Sequence, residues 1–217
     1  MSSLAAMAAM VALGVWQLHR LTWKEAIIAE IRAAQAAPPI ALPATPSPFE
    51  KVQIICTWLP GQAALYGDEI KDSPTGPILG AELIQPCQQP NGTIILADLG
   101  WVPQLTPHAL ALPPNPVGYI RAPEHPGWFS APDDPAHRLF YTLDAAPIAQ
   151  ALGLQAAPYM LIALGPPPPP GSQLPIPARD LPTPPNNHYQ YALTWFGLAA
   201  TLGFQFIFFA RKRLLAP

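Results

Sequence analysis

The sequence predicts a membrane protein of the α+β class, with two terminal transmembrane helices flanking a mainly antiparallel β-sheet or open-barrel extramembrane domain. Three observations predict it. Each end of the chain carries an uncharged apolar run, from Leu4 to Leu18 and from Tyr189 to Ala210. Charged residues make up only 11% of the 217 residues, against the quarter usual for a soluble surface, so part of the chain faces something other than water. Between the two runs, short apolar segments alternate with Pro, Gly, Asn and Asp clusters, the pattern of many short strands joined by turns.

The C-terminal run is the stronger span. Its 22 uncharged residues exceed the length needed to cross a hydrocarbon layer of about 30 Å. Tyr191 and Trp195 stand near its entry, where amphipathic rings favour the headgroup layer, and Arg211, Lys212 and Arg213 follow its exit. Phe204, Phe206, Phe208 and Phe209 are distributed around the helix, which suits lipid better than a one-sided core contact. The N-terminal run is shorter and ends at His19 and Arg20. It lacks a cleavage site just beyond it, so an uncleaved anchor is expected rather than a signal peptide. The expected layout is a first span over 1–19, a periplasmic domain over 20–165, a proline-rich strap over 166–187, a second span over 188–211 and a cytoplasmic basic tail over 212–217. Both termini are then cytoplasmic, in a bacterial inner membrane. Arg20 and Lys24 argue for the opposite orientation of the first span. The triple-basic tail is given precedence, with a chain start downstream of a basic lead.

Within the central segment, Lys24–Ala37 continues the first helix or opens a second, and Pro38, Pro39 and Pro43 end it. Strands are expected over Phe49–Leu59, Ile78–Gln85, Thr93–Trp101, Val117–Arg121, Leu139–Leu143 and Pro158–Leu164. Asp144 caps a short helix, Ala145–Leu152, which Gly153 stops. The proline-rich stretch after Gly165, with five consecutive prolines from Pro166, reads as extended polyproline with no ladder to donate.

All thirteen acidic residues lie between the two spans, and no basic stripe interleaves with aromatics, which excludes nucleic acid as a partner. No phosphate loop, HExxH helix, GxSxG elbow or zinc-like Cys/His spacing occurs, so no enzyme is expected. Cys56 and Cys87 form an even pair, able to form a disulfide in an oxidising compartment or to lie buried as thiols. His108, His125 and His137 read as loop histidines. His188 differs: it follows Asn186 and Asn187, which can cap a helix, and opens the second span, with Tyr191 and Trp195 on the same helical face. An imidazole at the lipid border beside aromatic rings suits the iron of an apolar tetrapyrrole, or else hydrogen-bonds to headgroups or to the capping Asn. Trp16, Arg20, Trp23 and Ile27 form a comparable stripe on the first helix. There Arg20 makes cation–π contacts, holds an anionic group, or snorkels to the headgroups.

Three segments carry a family resemblance: LGVWQLHRLTWKEAII (Leu13–Ile28), ADLGWVP (Ala97–Pro103) and NNHYQYALTWFGLA (Asn186–Ala199). Together, and in that order, they resemble the surfeit-locus family of cytochrome c oxidase assembly factors, and the likeness spans nearly the whole chain. The resemblance implies a non-enzymatic factor that binds haem a at the membrane interface and aids its insertion into the oxidase catalytic subunit. Haem a synthase is a further implied partner. It implies His188 as the ligand of the haem iron; from the helical stripes, Tyr191, Trp195, Trp16 and Arg20 are expected around the ring. The chain departs from the family pattern at Leu99, where a basic residue is usual, in the loosely matching Thr57–Gly67, and in lacking a basic N-terminal lead. A cofactor-free scaffold that steadies an assembly intermediate is the alternative, and an anchored periplasmic enzyme a third reading.

Overall fold

A computed structural model describes residues 2–73, 76–103, 112, 114–169 and 175–214. Two compact units emerge, one of residues 1–33 and 182–217 and one of residues 34–181.

The first unit is a helix pair. Helix α1 runs unbroken from Ser2 to Ala36, past the boundary expected at residue 19, because nothing between His19 and Ala37 breaks a helix until Pro38. The second helix of the pair, here α3, spans His188–Leu214 and ends on Arg211, Lys212 and Arg213, cations that offset the helix C-terminal dipole. Both are long and apolar enough to cross a membrane. On α1 the less exposed positions recur at Met7, Met10, Gly14, Gln17 and Leu21, and on α3 at His188, Ala192, Phe196, Ala199 and Gly203. Spacings of three and four mark one seam per helix. Small residues let the helices approach: a Cβ on Gly14 would lie 2.6 Å from the Phe196 ring, and one on Gly203 3.2 Å from Met7 Sδ.

The second unit is a nine-stranded mixed sheet. Its strands are β1 (Ile40–Ala41), β2 (Lys51–Gln53), β3 (Thr57–Trp58), β4 (Ala64–Ser73), β5 (Gly76–Gln88), β6 (Ile94–Val102), β7 (Val117–Arg121), β8 (Leu139–Phe140) and β9 (Ala156–Ala163), with helix α2 over Ala145–Ala151 before β9. The order is β1-β2-β7-β9-β6-β5-β4-β8, with β3 paired to β5. Five pairings are antiparallel, but β1–β2, β4–β8 and the central β6–β9 are parallel. The sheet is therefore mixed but antiparallel in most of its pairings, and among the described residues its edges β1 and β8 do not pair, so no barrel closes. The parallel β6–β9 pair follows from the intervening chain, which is long enough for a crossover and carries α2. Asp144 caps α2 as expected, its Oδ1 accepting from Ala146 N at 3.0 Å.

Strand β4 falls where the sequence suggested none, since Gly67, Asp68 and Asp72 mask its alternation. The single strand expected over Phe49–Leu59 divides into β2 and β3, and Phe49 before it adopts a left-handed φ of 65°. Cys56 and Cys87 are joined by a disulfide that ties the entry of β3 to β5. One core packs Val52, Ile54, Leu65, Leu83, Ile95, Ala97, Leu99 and Leu161. The strap is not a free polyproline segment: Ile176 exchanges backbone hydrogen bonds with Trp101 at 3.0 and 2.8 Å, and Ala178 bridges Leu164. A non-proline residue set between Pro175 and Pro177 keeps its N–H and can still pair. Residues 170–174, within the expected polyproline run, and His108 lie outside the described residues.

Candidate functional site

His188 is the first residue of α3 and sits on its seam. Its Nδ1 lies 2.7 Å from Gln17 Oε1, one turn of α1 beyond Gly14. The amide oxygen only accepts, so Nδ1 is the donor in this bond, and in the neutral imidazole Nε2 is then the nitrogen open to a ligand. That tautomer is the one a metal-ligating histidine adopts when its second nitrogen donates to a carbonyl. Gly14 makes the contact possible by admitting Phe196, which draws the two helices together at this level.

The remaining candidates are placed less centrally. Trp195 is half-buried beside the seam, whereas Tyr191 is 55% exposed. Trp16 and Arg20 lie off the α1 seam and are exposed, and the Arg20 guanidinium stacks 4.1 Å over the Trp23 ring. The structure thus brings His188 and Gln17 together, sets Trp195 half-buried two turns further along α3, and leaves Trp16, Arg20 and Tyr191 on outward faces. Asn186 does not cap α3 through its side-chain oxygen, because the buried Oδ1 has no partner among the described residues, and the first turn closes through Tyr191 N to Asn187 O at 3.2 Å.

A second polar centre, in the sheet unit, was not foreseen. A cavity of about 250 Å3 is lined by Tyr66, Lys71, Glu82, Asp98, Tyr119 and Arg121, with Ile176–Ala178 of the strap along it. The segment ADLGWVP builds it. Between Glu82↔Trp101 and Ile84↔Asp98 the register of β5 and β6 shifts by one residue, so β6 bulges at Leu99–Gly100. Gly100 takes φ 104°, and a Cβ there would meet Ile176 O at 2.0 Å. Asp98 Oδ1 accepts from Gly100 N at 3.0 Å and fixes the bulge. Trp101 Nε1 donates to Glu69 O at 3.0 Å, and Lys71 Nζ lies 5.3 Å from the Trp101 ring. Leu99 is 6% exposed and packs in the core.

Burial, then the neighbouring Asp98, pushes the Glu82 carboxyl up to about 8, and burial likewise raises Asp98. Near neutral pH the pair shares one proton. Arg121 is held by Glu124, and Tyr119 stacks on Phe49 at 6.1 Å. The signal for this centre was available: Glu82 and Asp98 are each the lone acid within an apolar strand.

Two apolar helices long enough to cross a membrane, with a mixed sheet unit between them in the chain and one imidazole on the helix seam, define an α+β protein consistent with a membrane protein. The model of the SURF1 family matches residues 4–200. The chain belongs to the SURF1 family. It is similar to a SURF1-like protein of Monosiga brevicollis, 28% identical over 92% of this chain and 83% of that protein. A SURF1-like protein of Rickettsia conorii is 27% identical over 94% of this chain and 87% of its own length. Surfeit locus protein 1 of Homo sapiens is 26% identical over 88% and 71%.

Proposed function

We propose that this protein is a non-enzymatic assembly factor for a haem–copper cytochrome c oxidase, which takes up haem a at the membrane interface and aids its insertion into the catalytic subunit. The observation that carries the reading is the His188 imidazole at the start of an apolar helix, oriented by Gln17 and, in its neutral form, with Nε2 open to a ligand. Haem a is the cargo, and one imidazole suits a carrier: a single ligand from His188 would hold the iron and still release it at hand-over. Trp195 offers a half-buried ring two turns along α3 from His188, and Tyr191 an exposed ring one turn along. Arg20, exposed and stacked on Trp23, offers a cation to a propionate, and Trp16 a lipid-level indole.

The proposed topology has both helices across a bacterial inner membrane, both termini in the cytoplasm and the sheet unit in the periplasm. The Cys56–Cys87 disulfide supports this side, since such bonds persist in oxidising compartments. The oxidase catalytic subunit, haem a synthase and the bilayer are the proposed partners.

A second reading, a cofactor-free scaffold for an assembly intermediate, is favoured by the same Gln17–His188 bond taken as a clasp between helices. The visible spectrum of protein purified from cells that make haem a separates the two. Haem absorption bands are expected, with their loss in His188→Ala and haem affinity weakened about 10–100-fold in Gln17→Leu, the range for partners that orient a ligand. Bands unchanged in His188→Ala remove it from the site, and a colourless preparation that retains the catalytic subunit selects the scaffold.

A further inference from the structure

The segment between β7 and β8 presents Trp128 and Phe129 at 99% and 101% exposure. No other large apolar side chain of the sheet unit among the described residues exceeds the 65% of Ile70. Two adjacent aromatics wholly in water are costly to a soluble surface and mark a contact site.

The tip is built rather than loose. Gly127 N donates to Ser130 Oγ at 2.8 Å and Ser130 N to Gly127 O at 3.1 Å, closing a turn around the two rings. The stem is tied by Glu124 N to Leu143 O at 3.1 Å and by Asp133 Oδ1, which accepts from Tyr141 N at 2.7 Å. Between Pro126 and Pro132 there is no charged residue. The acids that flank the tip are engaged, Glu124 with Arg121 and Asp134 with His137 at 2.6 Å.

We propose that the Trp128–Phe129 turn is a lipid-contact tip that inserts into the interfacial layer of the bilayer. The inference rests on the membrane reading of α1 and α3. A unit whose chain enters a membrane helix at both ends meets that bilayer at a high effective concentration, ahead of any diffusing apolar surface. Trp is the residue that favours the headgroup layer, and an uncharged, turn-fixed tip enters it without stripping water from an ion.

The test uses the full chain in nanodiscs of phosphatidylcholine and phosphatidylglycerol. Both native cysteines are in the disulfide, so a nitroxide on Ala131→Cys is unique, with Leu198→Cys on α3 as the reference. The label at 131 is expected to collide several-fold more with oxygen than with a water-soluble nickel chelate, and Trp128→Ser with Phe129→Ser to reverse that ratio. An aqueous label at 131 beside a lipid-embedded label at 198 overturns the tip while the membrane reading stands. Aqueous labels at both positions overturn both. Shielding that arises only when the oxidase is added makes the turn a protein-docking element and also overturns the proposal.

Discussion

The helix pair is richer in apolar residues than the sheet unit, and the two units use them in opposite ways. In the sheet unit Ile54, Leu65, Leu83, Phe140 and Leu161 are 0–1% exposed, and a disulfide links two of its strand segments. In the helix pair the buried positions are the small residues Gly14, Ala192 and Ala199, while Phe204, Ile207, Phe208 and Phe209 are 58–73% exposed. One unit closes its own core. The other leaves its large side chains for a surrounding medium and reserves the seam for close approach and a single imidazole. Substitutions in the sheet unit should therefore appear as lost stability, and those on the helix seam chiefly as lost ligand or partner.

The largest effect is expected from placing the same methyl group in each unit. Gly100→Ala must tolerate a positive φ and a Cβ driven into the Ile176 carbonyl, which separates the strap from the bulge. A loss of roughly 3–5 kcal/mol is expected, combining backbone strain with overpacking. Gly197→Ala on α3 meets nothing within 4 Å among the described residues and gains helix propensity, so it should be neutral or slightly stabilising. Thermal unfolding followed by Trp fluorescence measures both, and equal losses would dissolve the contrast between the units.

Next comes the disulfide. Replacing Cys56 and Cys87 together by Ala frees a loop with a sequence separation of 31 and should cost about 2–4 kcal/mol. Far-UV circular dichroism should retain the helical signal while the sheet unit melts earlier. A wild-type melt indifferent to reductant would show that the bond adds nothing to the stability of the sheet unit.

The two units were unequally legible in the sequence. Length, absence of charge and the basic tail announced α3, and Pro38 announced the end of α1, because these are local signals. The positions of five strands followed from turn residues, but pairing did not. Nothing local shows that β9 inserts beside β6 in parallel, or that Ile176 reaches back to Trp101 between two prolines. At the helix pair, periodicity placed His188, Tyr191 and Trp195 on one stripe. It could not show that the seam runs through Ala192 and Ala199 and leaves Tyr191 outside, since that choice depends on where Gly14 lets α1 approach. The segment ADLGWVP was visible as a motif, while its task of building a bulge beneath the strap lay in contacts with distant residues.

The smallest effect is a pH dependence confined to the sheet unit. Burial and the adjacent Asp98 raise Glu82 from 4.5 to about 8 in the folded chain, so between those values the native state binds more protons than the unfolded state. Stability contributed by the protonated carboxyl is fully present below about 4.5 and is lost as pH rises through about 8. The slope from one such group is at most about 1.4 kcal/mol per pH unit. Glu82→Gln keeps a donor toward Asp98 and cannot ionise, so its melting temperature should fall less than that of the wild type between pH 5 and pH 8.5, by a few degrees per kcal/mol. Asp98 retains its own raised value in that variant, which leaves a shallower residual slope rather than a flat line. Parallel curves for the two proteins would mean that Glu82 is already ionised in the fold. Lys71, whose charge favours the ionised carboxylate, would then be its partner in place of the shared proton.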